Sequence, residues 1–245
     1  MTGQAEELYR GKAKRVLAGP DPKTVVLEFT DRATAGDGAR TGLIRGKGEV
    51  NCRVSALAFE FLESRGLGTH FLSQEGPRRL LVRRLEIIPL ECVVRNRAAG
   101  SLCRRLGLEE GTPLRWPVVE LYYKSDPLHD PMVNRWHARA LGWASPEEVE
   151  ALEAAALEAN RLLTDFFGAA GLVLVDFKLE FGRFERRLLV GDEVSPDTCR
   201  LWDRETGLRL DKDRFRLDLG GESEAYRQVL ARLERAWGGG GGAGG

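Results

Sequence analysis

The segment GLVLVDFKLEFGRFERRLLVGDEVSPD, residues 171–197, decides the fold class, because it reads as two β-strands joined by a tight polar turn. In its first strand apolar and charged side chains alternate, so that Asp176, Lys178 and Glu180 share one face. With a tight turn and an even pairing register, Asp192 lies opposite Lys178 and points to the same face. The pattern therefore predicts an antiparallel hairpin with carboxylates and an ammonium on one surface.

The converging charges have two explanations. Mg²⁺ takes hard carboxylate oxygens and commonly bridges one or two carboxylates to substrate phosphates, so Glu180 and Asp192 fit a nucleotide-associated metal pair. The alternative is a solvated sheet face on which opposite charges form ion pairs, and for an amphipathic hairpin taken alone this is the more common case. No Walker loop of the form G-x-x-x-x-G-K-[ST] occurs in the chain.

Composition limits the remaining function classes. The 245 residues include 37 basic and 37 acidic side chains, which gives no overall attraction to polyphosphate. Only seven of the basic residues are lysines and 30 are arginines, which marks the lysines as candidate point charges for phosphate. Four scattered cysteines and a start without an apolar region predict a reduced, cytoplasmic protein with no membrane span. No catalytic histidine is predicted: His70 and His137 read as polar or surface residues, and His129 as part of a turn.

The N-terminal part shows strand and loop patterns. Residues 8–17 and 24–29 are predicted to form a hairpin around a Gly/Pro/Asp turn, with Lys12 and Lys14 on one face. Residues 31–42 are rich in Gly, Asp and Thr without an apolar period, which predicts a long functional loop.

Helix and strand signals follow. Apolar residues recur at three- and four-residue spacing over 48–66, which predicts a helix. A second helix is predicted from the capping box at Ser145 to about residue 167. Strands are expected over 79–96, interrupted at Pro89, which is a plausible lobe boundary.

A possible anion site lies in RNRAAGS, residues 95–101. Arg95 and Arg97 lead into a small-residue turn, and Ser101 stands near a helix N-terminus, so guanidinium and free N–H groups would suit a monophosphate. A capped helix beside two surface arginines explains the same residues equally well.

Taken together, the segments resemble the phosphoribosylaminoimidazole-succinocarboxamide synthase (SAICAR synthetase) family. The resemblance runs from about residue 8 to residue 230 and rests on several long motifs in order, which are far more specific than one short motif. The matching strings are LYRGKAK (8–14), TAGDGAR (34–40), KGEVN (47–51), PLECVVRNRAAGSL (89–102), KSDPLHDPMVN (124–134), LVDFKLEFG (174–182), GDEVSPDTCRLWD (191–203) and LDKDRFR (210–216).

The resemblance implies an α+β fold of two lobes, with antiparallel sheets, flanking helices and ATP in the cleft between the lobes. Residues 1–88 would form a smaller nucleotide-clamping lobe, 89–237 a larger substrate lobe, and 238–245 a disordered glycine-rich tail. The implied enzyme uses ATP and Mg²⁺ to join L-aspartate to carboxyaminoimidazole ribonucleotide (CAIR), giving SAICAR, ADP and phosphate in purine (IMP) biosynthesis, through an acyl phosphate. A homo-oligomer, with a dimer as the simplest case, is the expected assembly, without nucleic-acid or membrane partners.

The resemblance also implies residue roles. Those expected to meet the nucleotide are Lys12, Ala13, Lys14, Arg84, Leu85, Ile87, Lys124, Glu180 and Asp192, the last two as metal ligands. Those expected to bind the ribonucleotide, the aspartate or the transferring phosphate are Asp37, Gly38, Arg95, Ser101, Lys178, Arg200, Lys212 and Arg216. Direct catalytic roles are implied for Lys14, Lys124, Lys178 and Asp192.

Three other functions are weighed against this one. A different carboxylate–amine ligase could use the same ATP machinery with another acid or amine. A non-catalytic nucleotide- or RNA-binding module is disfavoured by zero net charge and by the lack of an aromatic stacking pattern. A protein kinase is excluded, because DFK (176–178) replaces DFG and no H-R-D-x-x-x-x-N loop is present.

Overall fold

The computed structural model describes residues 6–35 and 40–238 and confirms the α+β class. The strands are β1 (Glu7–Arg10), β2 (Lys14–Ala18), β3 (Thr24–Phe29), β4 (Arg32–Ala35), β5 (Arg40–Leu43), β6 (Phe71–Gln74), β7 (Arg79–Arg83), β8 (Glu86–Arg97), β9 (Pro113–Tyr123), β10 (Met132–Val133), β11 (Leu172–Phe184), β12 (Arg187–Gly191) and β13 (Cys199–Asp203). The helices are α1 (Lys47–Ser64), α2 (Ser101–Leu106), α3 (Arg135–Ala140), α4 (Pro146–Ala169), α5 (Asp213–Arg216) and α6 (Glu222–Trp237), and a 3-10 helix spans Asp126–Leu128.

Two antiparallel sheets form the framework. The N-terminal sheet has the order β1-β2-β3-β7-β6, and the C-terminal sheet has the order β10-β9-β8-β11-β12, with β13 also paired to β11. β4 and β5 form a separate hairpin. The long helix α4 packs on β11 and β8, while α1 packs against β6 and α6. Most of β11 is buried, and it has strand partners on both sides, with β8 on one side and β12 and β13 on the other.

The helix α4 begins as its capping box predicts. Ser145 Oγ accepts from the Glu148 N–H, and the Glu148 carboxylate accepts from the Ser145 N–H. Behind this cap an apolar stripe faces the sheet, and Leu152, Ala156 and Leu163 are fully buried. Capping and burial on one face together explain why this segment was recognisable without tertiary information.

The two sheets meet at a short parallel contact. Residues 84–85 carry the chain from β7 into β8, and residues 68–70 pair with β12 through a bridge between Thr69 and Val190. The His70 N–H donates to the Val190 carbonyl at 2.8 Å. The ends of β12 and β6 are thereby held together, and the charged residues after β12 lie beside the N-terminal sheet.

The N-terminal hairpin differs from the prediction. Residues 8–17 form parts of two strands, β1 and β2, separated by a tight turn in which the Gly11 N–H donates to the Lys14 carbonyl at 2.9 Å. Lys12 therefore lies in the turn and Lys14 begins β2, so the prediction that they share one strand face was wrong. The alternation of polar and apolar residues over 8–17 did not reveal the turn, because Gly11 and Ala13 are small and fit either a strand or a turn.

The interruption predicted at Pro89 was also wrong. β8 runs through Pro89, because β8 residues 88–90 stand opposite the single β11 residue Phe181 in a bulge. Proline has no N–H to donate, and a bulge is a place in a sheet where none is required. The change from one sheet to the other falls at 84–85 instead.

The register predicted for Asp192 was wrong as well. β12 pairs Gly191 with Glu180, so a continued ladder would put Asp192 opposite Leu179, on the other face. Asp192 instead leaves the ladder with a left-handed backbone, φ 61°, which costs on the order of 1 kcal/mol for a residue with a Cβ. This turn returns its carboxylate to the face predicted for it.

The predicted loop 31–42 contains the β4–β5 hairpin, and Asp37 and Gly38 lie outside the described residues. The same holds for 239–245 of the glycine-rich tail, while Gly238 caps α6. Within the described chain, no helix combines the length and apolar character needed to cross a membrane.

Candidate functional site

Lysine and carboxylate side chains converge where the two sheets meet. We call this group the lysine–carboxylate cluster, and its members are Lys14, Glu91, Lys124, Lys178, Glu180, Asp192 and Glu193. They come from β2, β8, β11, the end of β9 and the segment after β12. Each ammonium contacts at least one carboxylate, so every charge in this largely buried cluster has a partner, although its four carboxylates outnumber its three ammonium groups.

Lys14 connects the two sheets through this cluster. Its ammonium donates to Asp192 and, at 2.6 Å, to Oε1 of Glu193. Burial alone would lower the pKa of Lys14, but the two carboxylates raise it above its ordinary value. Burial alone would raise the pKa of Asp192, but Lys14 and Lys178 hold it well below its usual range. Both groups are therefore charged at physiological pH.

Lys178 stabilises two facing carboxylates. Glu180 of β11 stands directly opposite Glu91 of β8, a position in which like charges repel. The Lys178 ammonium donates to Glu180 at 2.7 Å and to Glu91 at 2.9 Å, and lies 3.7 Å from Asp192. Burial alone would lower the pKa of Lys178, but these carboxylates raise it well above its usual value. Lys124 donates to the second oxygen of Glu180.

Glu180 and Asp192 are chemically suited to a hard divalent cation. Both are carboxylates, and both face the ammonium of Lys178. Over 6–35 and 40–238, no group of three or more His, Cys, Asp or Glu side chains forms a complete metal site. A cation on this pair would therefore complete its coordination with waters or substrate oxygens, as Mg²⁺ commonly does.

Further along β11, Asp176 gathers two arginines. Arg95 and Arg200 each donate from a terminal nitrogen to its Oδ2 at 2.7 Å. Arg95 also donates to Ser101 Oγ at 3.1 Å, at the start of α2. Arg95 is buried and Arg200 is partly exposed, so Arg200 presents the accessible part of this positive charge.

Asp213 extends this group toward α5. It accepts from Arg200 Nε and from a terminal nitrogen of Arg216, both at 2.7 Å. Asp211 lies behind it, fully buried, and its pKa is raised to about 7 by burial and by the charge of Asp213.

A buried ion pair supports the same region from behind. Lys47, 1% exposed, donates from Nζ to Asp197 Oδ2 at 2.7 Å, and the Tyr226 hydroxyl donates to Asp197 Oδ1 at 2.6 Å. These contacts tie α1 and α6 to the segment after β12. Lys212 is also near Asp197, and burial lowers the pKa of Lys212 despite that attraction.

The prediction of His70 as an ordinary polar or surface residue was wrong. His70 is 3% exposed, its ring packs edge-to-face on Phe59 at 5.2 Å between ring centroids, and its Nδ1 lies 3.7 Å from the point where a Cβ on Gly191 would be. Burial lowers the pKa of His70 to about 4, so the ring is neutral.

Comparisons with known proteins decide the family. The SAICAR synthetase family model matches residues 7–233. The chain belongs to the SAICAR synthetase family. A phosphoribosylaminoimidazole-succinocarboxamide synthase of Coprothermobacter proteolyticus is 53% identical over 227 residues, covering 92% of this chain and 96% of the relative.

Solved structures of SAICAR synthetases agree with this membership. The phosphoribosylaminoimidazole-succinocarboxamide synthase of Ehrlichia chaffeensis superposes with a TM-score of 0.92 at 42% identity, covering 94% of this chain and 99% of the other. A SAICAR synthetase in complex with ADP has a TM-score of 0.90 at 47% identity, covering 92% and 96%.

In this SAICAR synthetase family member, the predicted site residues fall into several places. The lysine–carboxylate cluster contains Lys14, Lys124, Lys178, Glu180 and Asp192. The arginine group contains Arg95, Ser101, Arg200 and Arg216. Lys212 lies near Asp197, and its charge is influenced by Glu193 of the cluster and by Arg216 of the arginine group.

The predicted nucleotide hinge lies at the sheet-to-sheet connection. Arg84 and Leu85 form the link, and Ile87 is 42% exposed on β8. Leu85 packs closely over Gly182, where an added Cβ would lie 2.7 Å from the Leu85 Cβ. Ala13 and Lys12 lie in the β1–β2 turn, where Lys12 donates to Asp126 at 2.7 Å.

Several site residues were missed from the sequence. Lys47 could have been found, because it is one of only seven lysines and lies in the KGEVN string. Glu193 adjoins the predicted metal ligand Asp192, but a short acidic run such as GDE (191–193) is only weak evidence for a functional site. Glu91 had no signal at all, because its position opposite Glu180 depends on the pairing of two strands far apart in sequence.

Proposed function

We propose that this chain is an ATP-dependent ligase that condenses L-aspartate with CAIR to form SAICAR, ADP and phosphate in purine biosynthesis. The observation that carries the proposal is the lysine–carboxylate cluster at the meeting of the two sheets in a SAICAR synthetase family member. The ADP complex of a related structure supports nucleotide use.

The cluster's own residues account for phosphoryl transfer. A carboxylate is a poor acylating agent, so CAIR would be activated as an acyl phosphate, which the aspartate amine then attacks. Such a transfer depends on positioning and charge neutralisation more than on covalent help from the protein. Lys14, Lys124 and Lys178 would exchange their carboxylate contacts for phosphate oxygens, since a lysine ammonium has rotatable donors.

Mg²⁺ would be held by Glu180 and Asp192, which present hard oxygens on the face of Lys178. When bound, it would neutralise phosphate charge and orient the phosphoryl group. Glu91 and Glu193 would then keep Lys178 and Lys14 paired and in place.

The arginine group suits the phosphate of the ribonucleotide. Arg200 is partly exposed, Arg95 is held by Asp176, and Ser101 adds a hydroxyl at the start of α2. Arg216 of this group and the neighbouring Lys212 would contact the aspartate carboxylates or the transferring phosphate. These positive charges and hydrogen-bond donors would hold the phosphate of the ribonucleotide and the carboxylates of the aspartate, and so orient the two substrates toward the cluster.

The division into a nucleotide-clamping lobe (1–88) and a substrate lobe (89–237) belongs to this proposal. The change of sheet at 84–85 supports a boundary near the predicted one. We further propose a cytoplasmic homo-oligomer. The four cysteines, all in the described chain, are free thiols there, as expected in a reducing compartment.

The test is release of ADP by purified protein with Mg-ATP, CAIR and L-aspartate, each omitted in turn. The proposal expects release only when all three are present, with SAICAR formed in equal amount. ADP release without aspartate, or only with another acid or amine, would indicate a different carboxylate–amine ligase that uses the same ATP site. No ADP under any combination would contradict a ligase function altogether.

A further inference from the structure

Arg105 joins the arginine group through Glu120, whose carboxylate also pairs with Arg95. With Arg105 included, ion pairs connect four guanidinium groups to only three carboxylates. The guanidinium groups are those of Arg95, Arg105, Arg200 and Arg216, and the carboxylates are those of Glu120, Asp176 and Asp213. This excess of positive charge, on a group that pairs well with phosphate, suits an anion.

The nitrogens of Arg95 are all engaged inside the protein. A guanidinium carries five N–H donors, and Arg95 is 3% exposed. The acceptors are Glu120 for Nε at 2.8 Å, Asp176 at 2.7 Å and the Ala99 carbonyl at 3.5 Å for Nη1, and Ser101 at 3.1 Å and Tyr122 at 3.4 Å for Nη2. Arg95 therefore supports Ser101 from behind and leaves contact with a ligand to its neighbours.

The hydroxyl of Ser101 has a proton left to donate. Its oxygen accepts from Arg95 at 3.1 Å and from Arg105 at 3.2 Å, which occupies both lone pairs. The hydroxyl of Tyr122 accepts from the same two arginines but donates its own proton to Glu120 at 2.8 Å. In the part of the chain that the structure describes, the Ser101 O–H has no such acceptor. Two arginines thus orient this hydroxyl as a donor to a ligand.

Arg105 has spare donors beside that hydroxyl. It lies on α2, one turn after Ser101, and its side chain is 31% exposed. Its Nη1 donates to Tyr122 at 2.9 Å and to Ser101 at 3.2 Å, and its Nη2 donates to Glu120. These contacts use three of its five N–H groups, and Nε has no partner among the described residues. A ligand at Ser101 can therefore take hydrogen bonds from Arg105.

Arg200 presents a further donor to the same short segment. Its Nε donates to Asp213 and its Nη1 to Asp176, both at 2.7 Å. Its Nη2 lies 2.6 Å from the point where a Cβ on Gly100 would be, so a side chain at residue 100 would have to displace this guanidinium. Arg200 and Arg105 thus place guanidinium groups beside two successive residues, Gly100 and Ser101.

We propose that Arg105 binds the phosphate of the ribonucleotide directly, together with Ser101 and Arg200. The inference rests on the proposed function, which places this phosphate at the arginine group, and it adds a residue that the sequence did not single out. The phosphate oxygens accept from the Ser101 hydroxyl and from the two guanidinium groups, whose planar forks match phosphate geometry. Glu120, which holds Arg95 and Arg105 at once, keeps the Arg105 guanidinium in place.

Three variants separate phosphate binding from packing and from net charge. Arg105→Met removes the guanidinium but keeps an unbranched side chain. Arg105→Lys keeps a positive charge for Glu120 but loses the planar fork. Arg104→Met is the matched control, because Arg104 is exposed on the same helix and carries the same charge.

Steady-state ADP release gives kcat and the KM for CAIR, Mg-ATP and L-aspartate, and urea unfolding gives the stability of each variant. We expect Arg105→Met to raise the KM for CAIR about tenfold or more, with kcat and the KM for Mg-ATP within about threefold of the wild type, because a contact far from the reacting carboxylate contributes equally before and during the reaction. Arg105→Lys should raise the KM for CAIR by about threefold or more, but less than Arg105→Met. Arg104→Met should change it by less than about twofold.

A KM for CAIR within threefold of the wild type in Arg105→Met would overturn the inference. So would an equal rise in Arg104→Met, or a parallel rise in the KM for all three substrates. If Arg105→Met does not fold, Arg105→Lys decides: a rise of threefold or more confined to CAIR supports the inference, and a wild-type KM contradicts it. A wild-type protein that releases no ADP with all three substrates would overturn the proposed function and this inference together, whereas normal wild-type turnover with an unchanged KM in Arg105→Met would overturn the inference alone.

Discussion

At the scale of single residues, the pairing of opposite charges explains why buried ions are tolerated in this protein. Lys14 and Lys178 each contact two or more carboxylates, so no ion in the cluster is left uncompensated. The same arrangement places the groups proposed to bind phosphate and cation in contact with one another. Substitutions in the cluster should therefore affect chemistry, while substitutions behind it should affect stability.

Asp192→Asn is expected to lower the rate of ADP release roughly 100-fold or more, because a proposed metal ligand loses its charge and preorganised electrostatic groups are worth about this much. Folding should persist, since Lys14 keeps its contact with Glu193. Steady-state kinetics and urea unfolding measure the two effects. Asp165→Asn, an exposed position on α4, is the matched control and should leave both unchanged. Wild-type turnover in Asp192→Asn would remove Asp192 from the metal site.

Lys47→Met is expected to lower the free energy of unfolding by about 3 kcal/mol, because it leaves Asp197 buried without its closest cation. Lys23→Met is the matched control: Lys23 pairs with Glu185 on the surface, and its loss should cost less than about 1 kcal/mol. Chemical denaturation measures both variants. Equal stability losses would show that the Lys47–Asp197 pair acts like a surface pair.

At the scale of elements, the ends of helices depend on nearby residues, whereas the course of a strand depends on pairing with distant segments. α4 begins where its cap and apolar stripe predict, and α2 ends at Gly107, whose φ is 65°. β8 was misread because a proline in a bulge looks, in sequence, the same as a proline that ends a strand. Element types were therefore predictable where the deciding contacts are local.

Ser145→Ala is expected to destabilise the protein by about 1 kcal/mol, because it removes the side-chain half of the α4 capping box. Ser64→Ala is the control: Ser64 lies in the last turn of α1 and donates only to the carbonyl of Phe61. Its substitution should change stability by less than about 0.5 kcal/mol. A thermal or urea unfolding series compares the pair, and equal losses would contradict a capping role for Ser145.

At the scale of the whole molecule, the two sheets are held together near the site by backbone and charge. The Thr69–Val190 bridge and the contact of Lys14 with Asp192 lie at the same junction. Away from this junction, a buried ionisable group behind Asp213 couples protonation to the stability of the fold. The buried acid Asp211 gives this coupling a sign that can be measured.

Asp211 is expected to make the protein less stable as pH rises from about 4 to 7. Burial and the charge of Asp213 raise its pKa to about 7 in the folded state, against an ordinary value of 3.8. Between these values the folded state binds more proton than the unfolded state, so stability is highest below the lower value and falls by up to about 1.4 kcal/mol per pH unit through the higher one.

Urea unfolding of the wild type and Asp211→Asn at several pH values measures this slope. The asparagine variant should lose the contribution of Asp211 and show a flatter or more positive dependence of unfolding free energy on pH. Asp165→Asn should keep the wild-type slope. Parallel curves for the wild type and Asp211→Asn would contradict the raised pKa.

The sequence by itself determined the family, the α+β class, the α4 cap and which lysines to examine, because these depend on motifs, periodicity and side-chain chemistry that are local in the chain. It also placed Lys178, Glu180 and Asp192 on one face, although through a register that does not occur. Only the tertiary structure decided that Asp192 turns out of the ladder, that Glu91 faces Glu180, and that His70 and Lys47 are buried around the site. Those facts depend on strand register and on contacts between segments up to about 150 residues apart, such as Lys47 with Asp197, which no local pattern specifies.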